Sequence, residues 1–211
     1  MSIQVSYTPT ASEISMDKNY SDDIYLAVNP FGQQIRTANE IDDDIRTMAR
    51  KPILGSKAAD KTALGYVYIY RDPERPNLHK IGYTNKEISE RQRWIQAKCS
   101  ITLESIPHGL IPVRNAERAE KLVHAELRNF RRVFTCKCGT KHREWYEVTE
   151  KEALRVVRRW DSFLRQVPYD DNGRLIGLWT KRITIMPRPL SGEKPDDHDA
   201  RHQRWTDVLK A

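Results

Sequence analysis

Long apolar runs are missing from this 211-residue chain, and without about 18 consecutive apolar residues no segment reads as a membrane-spanning helix. The opening stretch, MSIQVSYTPTASEISMDKNY, lacks the basic start and apolar core of a secretory signal. Cysteine is scarce. The three residues Cys99, Cys136 and Cys138 are odd in number, and two of them are one residue apart. That usage excludes a disulfide framework and points to a reducing, intracellular compartment with free or metal-bound thiols. Internal repeats are absent, as is any basic cluster long enough to act as a nuclear address.

Positive charge is plentiful but unevenly placed, within a net charge of +7. Residues 1–60 carry 6 basic and 9 acidic side chains, a balance of −3. Residues 61–165 carry 22 and 13, a balance of +9, and residues 166–211 carry 8 and 7, a balance of +1. A central basic domain over 61–165 is therefore flanked by an acidic, mostly flexible extension and a C-terminal extension. Excess cation in one segment suits a surface that meets a phosphate backbone. Within 1–60, Ile41, Ile45 and Met48 predict a helix around Glu40–Arg50. Residues 187–204, rich in Pro, Asp and His, read as disordered.

The stretch GYVYIYRDPERPNLHKIGYT at residues 65–84 carries most of the information. Tyr66, Tyr68 and Tyr70 alternate with Val67 and Ile69, so a strand would send phenols to one face and core anchors to the other. Asp72, Pro73, Pro76 and Asn77 then make a turn, giving a β-hairpin. Ser89-Glu90-Arg91-Gln92 has the form of a capping box and opens a basic helix with Arg91, Arg93 and Lys98. Ile101–Ile106 reads as a strand. Asn115 caps a second helix running to about Arg132, with Ala119, Leu122, Val123, Leu127 and Phe130 as its buried stripe. Glu144–Val148 alternates as a strand does, and Thr149 caps a third helix that buries Leu154, Val157, Trp160 and Leu164. The resulting order predicts an α+β fold, a small antiparallel sheet of about three strands flanked by helices.

Gly65-Tyr66-Val67-Tyr68-Ile69-Tyr70, Lys80-Ile81-Gly82-Tyr83-Thr84, the Glu120–Leu127 helix and Glu144-Trp145-Tyr146 occur in that order. The series resembles the GIY-YIG nuclease superfamily, in the branch named for a phage Orf DNA-binding domain and common in fungal proteins. The resemblance covers roughly residues 62–165. It implies a GIY-YIG-like fold, DNA as partner and an intracellular, nuclear location for a fungal-type member. It also implies Tyr68 as the base that activates water, Arg91 as the phosphate contact and Glu120 as ligand to Mg²⁺ or Mn²⁺. Arg93 rivals Arg91, and Glu117 rivals Glu120. His124, one turn after Glu120, shares its helix face. The second-motif tyrosine is replaced by Lys80, whose ammonium could neutralise a phosphate or lower the pKa of Tyr68. Tyr66, Tyr70, Arg93 and Lys98 complete the expected nucleic-acid contacts.

Two further readings follow from the same residues. With Lys80 in place of a phenol, the module could bind DNA without cutting it. Separately, Cys136, Cys138, His142 and the distant Cys99 are donors of the type zinc prefers, with Gly139 allowing a tight turn after the second thiol. A zinc-stabilised protein-interaction domain is thus the third reading.

Overall fold

The structure is a computed structural model that describes residues 34–53, 64–99, 101–136 and 138–210. Most of the expected acidic extension lies outside the described residues. The hairpin forms as its pattern predicts, with β1 (Leu64–Asp72) antiparallel to β2 (Arg75–Thr84). A basic helix α2 (Ile88–Cys99) follows, preceded in the chain by α1 (Ala38–Arg50). Next come β3 (Glu104–Arg114), α3 (Ala116–Glu126), β4 (Arg131–Thr135), β5 (Lys141–Glu147) and α4 (Glu150–Arg165). Two more helices, α5 (Gly177–Ile185) and α6 (His198–Leu209), close the described chain. Among the described residues no helix is long and apolar enough to cross a membrane.

The fold is α+β, but its open antiparallel sheet has five strands, in the order β3-β1-β2-β5-β4, not about three. The sheet gains β5, where Glu144–Val148 reads as a strand, and β4, which takes over where a helix was expected to run on. The strand expected at Ile101–Ile106 begins later and runs on to Arg114, pairing along β1. The helix expected to reach Arg132 stops at Glu126 and gives way to a single 3₁₀ turn, Arg128–Phe130, before β4. Asn129 explains the stop: its Oδ1 accepts from the Arg36 backbone N–H at 2.9 Å and its Nδ2 donates to the Arg36 carbonyl at 2.8 Å. A side chain that pairs so with a distant backbone competes against helix continuation.

Capping also differs from the sequence reading. Thr149 accepts from the Glu152 backbone N–H as expected. Asn115, by contrast, sits in the left-handed region (φ 51°) and makes no side-chain cap. Ser89 lies inside α2, where its carbonyl accepts from Arg93 Nε.

Alternation along β1 sorts two cores onto the two faces of the sheet. Val67, Ile69 and Ile81 pack against Ala119, Leu122 and Val123 of α3, Val156, Val157, Trp160 and Phe163 of α4, and Ile41 and Ile45 of α1. The opposite face gathers Tyr68, Tyr70, Leu78, Ile95, Leu103 and Trp145 under α2. That second cluster is small, and α2 contributes only Ile95 and Cys99 to buried surface.

The C-terminal region is more ordered than its composition suggests. Trp205 of α6 is fully buried against Trp160 and donates Nε1–H to Asp42 of α1 at 3.0 Å. Arg204 adds a bidentate pair to the same carboxylate, at 3.1 and 2.9 Å. A fully buried Asp42 is tolerable because these donors compensate its charge. Composition misled here because the large apolar anchor, Trp205, lies just past the polar stretch 187–204.

Candidate functional site

The geometry starts at Gly82. Its register partner across β1–β2 is Tyr68, and the tyrosine ring lies directly over the glycine. A Cβ placed on Gly82 would stand 2.4 Å from Tyr68 Oη and 2.6 Å from Cζ. Only a residue without a side chain admits that close approach, which explains why a glycine follows Lys80-Ile81. The next pair in the ladder, Tyr70 and Lys80, points to the same face. Tyr68, Tyr70 and Lys80 thus form one patch, all nearly inaccessible to solvent. Of the three phenols expected to stand free, only Tyr66 is exposed.

Three separate segments converge on this patch of the hairpin. From α2, Arg91 Nε donates to Tyr68 Oη at 3.4 Å. Arg93, its sequence rival, turns to solvent and bonds back to the Ser89 carbonyl at 3.3 Å. From α3 comes Glu120, buried, with His124 one turn on and 3.9 Å away. From β5, Glu144 Oε2 accepts from Lys80 Nζ at 2.5 Å. Glu117, the alternative to Glu120, pairs instead with Lys121 at 2.7 Å.

Burial decides the charges. It pushes the Glu120 carboxyl up to about 8, with Glu144 adding to the rise and Lys80 opposing it. Near neutral pH Glu120 is therefore largely protonated. For Glu144 burial also pushes upward, but Lys80 outweighs it and keeps the carboxylate ionised. Tyr68 is raised to about 12 by burial, against the pull of Arg91.

His124 is held down at about 4, chiefly by burial. It is neutral, and Nε2 carries the proton because its neighbour at 3.2 Å is the Ile81 carbonyl, which only accepts. Its ring also lies 5.3 Å from that of Tyr146. The Lys80 ammonium is paired with Glu144.

The exposed face of α2 supplies a contact surface that the sequence reading overlooked in part. Trp94 is half exposed, with the Arg91 guanidinium 5.0 Å and the Lys98 ammonium 4.8 Å from its ring centroid. Cations held over an exposed indole suit phosphate contact beside base stacking. The signal lay in the basic-aromatic interleaving of Arg91, Arg93, Trp94 and Lys98. Glu144 was likewise missed as a partner of Lys80, although its Glu144-Trp145-Tyr146 motif was noticed. Tyr70 does not reach this surface: it is buried, and its hydroxyl lacks a hydrogen-bond partner.

At the far end of α2 lies a second constellation. Ligand atoms of Cys99, Cys136 and His142 all fall within 4.8 Å of one another. The Cys138 sulfur is 2.7 Å from that of Cys136 and 3.7 Å from that of Cys99. The Cys136-to-Thr140 turn closes through Cys136 N–H to Thr140 O at 3.0 Å and Gly139 N–H to Cys136 O at 2.9 Å. Gly139 takes φ +81° there, in open space. His142 Nε2 is buried without a hydrogen-bond partner, and its ring stacks on Phe134 at 5.1 Å. Three of the four predicted donors thus meet, with Cys138 beside the two thiols, and Cys99 comes from a different element than the others. Soft thiols and an imidazole are donors of the kind that zinc prefers.

A groove of about 870 Å³ lies away from both constellations, between α4 and α6, lined by Arg155, Arg158, Arg159 and His202 among others.

Residues 65–161 match the T5orf172 domain family. That span runs from the start of β1 into α4 and so includes both constellations. No curated protein and no solved structure shows a significant match to the chain.

Proposed function

We propose that this chain is a DNA-acting module of the GIY-YIG type that hydrolyses phosphodiester bonds with a divalent metal ion. The single observation that carries the reading is the convergence of Tyr68, Arg91, Lys80, Glu120 and Glu144 on one patch from four separate segments. The T5orf172 match over the same residues supports it.

Hydrolysis requires an in-line water, charge compensation on the phosphoryl oxygens and help for the leaving oxygen. Arg91, at the rim of the patch, offers its guanidinium to a non-bridging oxygen. Tyr68, once ionised, takes the proton of the attacking water as its oxygen bonds to phosphorus and the P–O bond to the leaving oxygen breaks. Burial holds the phenol at about 12, so cleavage accelerates as pH rises.

Glu120 is the ligand for Mg²⁺ or Mn²⁺. The donor set fits: it is a hard carboxylate oxygen in a buried site, raised to about 8 by burial and by its neighbour Glu144, which a divalent cation would return to its ionised form. The bound ion would stabilise charge on the leaving oxygen. Lys80 fixes Glu144, and neutral His124 anchors α3 to the Ile81 carbonyl. Trp94, Arg93, Lys98 and Tyr66 form the surrounding DNA contacts. The cluster of Cys99, Cys136, Cys138 and His142 holds a structural Zn²⁺.

The test is nicking of supercoiled plasmid with and without Mg²⁺ or Mn²⁺, beside Glu120→Ala. Metal-dependent nicking lost in the variant supports the enzyme. A folded protein that binds plasmid and never nicks it, on branched substrates as well, favours a non-catalytic DNA-binding module. One observation favours that second reading: Lys80 replaces the second phenol and is locked to Glu144. Affinity insensitive to salt would instead point to a zinc-stabilised protein-interaction domain, since contacts to several phosphates make binding fall steeply with salt.

A further inference from the structure

Helix α2 has an unusual problem. It carries Arg91 and the exposed Trp94 face, yet it buries only Ile95 and Cys99. Side-chain bonds elsewhere on the helix are few: Gln92 Nε2 donates to the Leu103 carbonyl at 3.3 Å, and Gln96 Oε1 accepts from the Leu103 N–H at 3.1 Å. Both lead to the connection just after the helix, not to the sheet beneath it. An amphipathic helix normally holds its place through an apolar stripe, and this one has Ile95 and Cys99 with only the half-buried Ile88 added. Something else must set its position over Tyr68.

The thiol cluster stands where such a fastening is needed. Cys99 is the last residue of α2, eight residues and about 12 Å of helix beyond Arg91. Cys136 and Cys138 lie in the turn between β4 and β5, and His142 lies on β5 two residues before Glu144. The β2–β5 ladder that holds β5 in the sheet is short, with its last pair at Lys80 and Trp145. His142 therefore sits beyond that ladder, its buried Nε2 unpartnered and a ring nitrogen within 4.8 Å of the Cys99 and Cys136 sulfurs.

We infer that Cys99, Cys136 and His142, with Cys138 beside the two thiols, form a metal clamp that joins the C-terminal end of α2 to the β4–β5 hairpin and so sets Arg91 against Glu144. Occupied, the clamp fixes the helix end through Cys99 and the start of β5 through His142. Stripped of metal, α2 keeps Ile88, Ile95, its two glutamine bonds and the long Arg91–Tyr68 bond, and Arg91 is held less firmly over Tyr68. The four residues act on the phosphate site by positioning and touch no substrate. This inference rests on the assignment of zinc to the cluster, but not on cleavage.

Purified reduced protein, prepared without chelators, is examined by metal mass spectrometry and by amide hydrogen exchange before and after metal removal. The variants are Cys138→Ser, which alters the exposed ligand, and His142→Gln; Cys99 is buried and is left intact so that folding is not confounded. The expected result is about one zinc per chain, as a structural site requires, reduced in both variants. Amides of residues 91–99 and 141–144 should then exchange at least about tenfold faster on metal removal, while α3 and α4 stay protected. DNA affinity of the stripped protein should fall to that of Arg91→Ala. Absence of bound metal would overturn the zinc assignment itself. Bound metal whose removal leaves α2 exchange and DNA affinity unchanged would overturn the clamp while the zinc assignment stands.

Discussion

Replacing Glu120 with glutamine should make this protein more stable while removing the proposed metal ligand, and the gain should depend on pH in a defined way. The folded carboxyl is raised from 4.5 to about 8. At roughly 1.4 kcal/mol per decade, ionising it in the folded state costs about 5 kcal/mol. The sign follows from linkage. Below about pH 4.5 the acid is protonated in both states and carries no penalty. Between 4.5 and about 8 the unfolded chain has lost its proton while the folded one retains it, so native stability declines steadily. Above that range the penalty is complete. Glutamine stays neutral throughout, keeps the shape and removes the slope.

At pH 7 the stability gain of Glu120→Gln should be about 3 kcal/mol, rising to about 5 kcal/mol by pH 9 and shrinking to under about 1 kcal/mol at pH 5. Urea denaturation of both proteins at pH 5, 7 and 9, without divalent metal, measures this. A difference that stays constant over that range, or a variant less stable than the parent at pH 9, would refute the burial argument.

Three other perturbations bear on different parts of the fold. Gly82→Ala would drive a Cβ to 2.4 Å from Tyr68 Oη. It should cost about 1–3 kcal/mol through overpacking and displace Tyr68 from Arg91, visible as a change in tyrosine near-ultraviolet circular dichroism. Arg91→Ala should weaken DNA binding similarly on unrelated sequences and reduce the slope of log affinity against log salt by about 1; fluorescence anisotropy in a salt series reports both. Trp205→Ala removes a fully buried indole and its bond to Asp42. A loss of about 3–5 kcal/mol in thermal unfolding is expected, whereas a change under about 1 kcal/mol would mean that α6 is dispensable.

How much of this was readable from the chain depends on how local each signal is. The alternation of Tyr66 to Tyr70 is a two-residue period, and it marked β1 and its core face correctly. The stripe Ala119, Leu122, Val123 and Leu127 likewise marked the inner side of α3. β4 is five residues long with no fully buried position, so it leaves no pattern to find. The fate of the tyrosine hydroxyls was equally invisible, because the burial of Tyr70 is imposed by α2 and Trp145 from elsewhere in the chain. Donor chemistry travelled better than position: the meeting of Cys99 with Cys136 and His142 was expected from residue type alone. The bond between Lys80 and Glu144 was not, since 64 residues separate them and nothing local links the two.

The burial of Asp42 beneath Trp205 and Arg204 has a consequence for how this module can be moved between proteins. The span that matches the T5orf172 family ends inside α4, but the apolar surface it carries is finished by α1 on one side and by α5 and α6 on the other. Excising residues 65–161 would bare the faces of α3 and α4 now covered by Ile41, Ile45, Trp179 and Trp205. The recognisable unit and the cooperative unit are therefore different lengths of chain. A transplant that respects the second would begin before Ala38 and run through Leu209, carrying the buried aspartate and its arginine together.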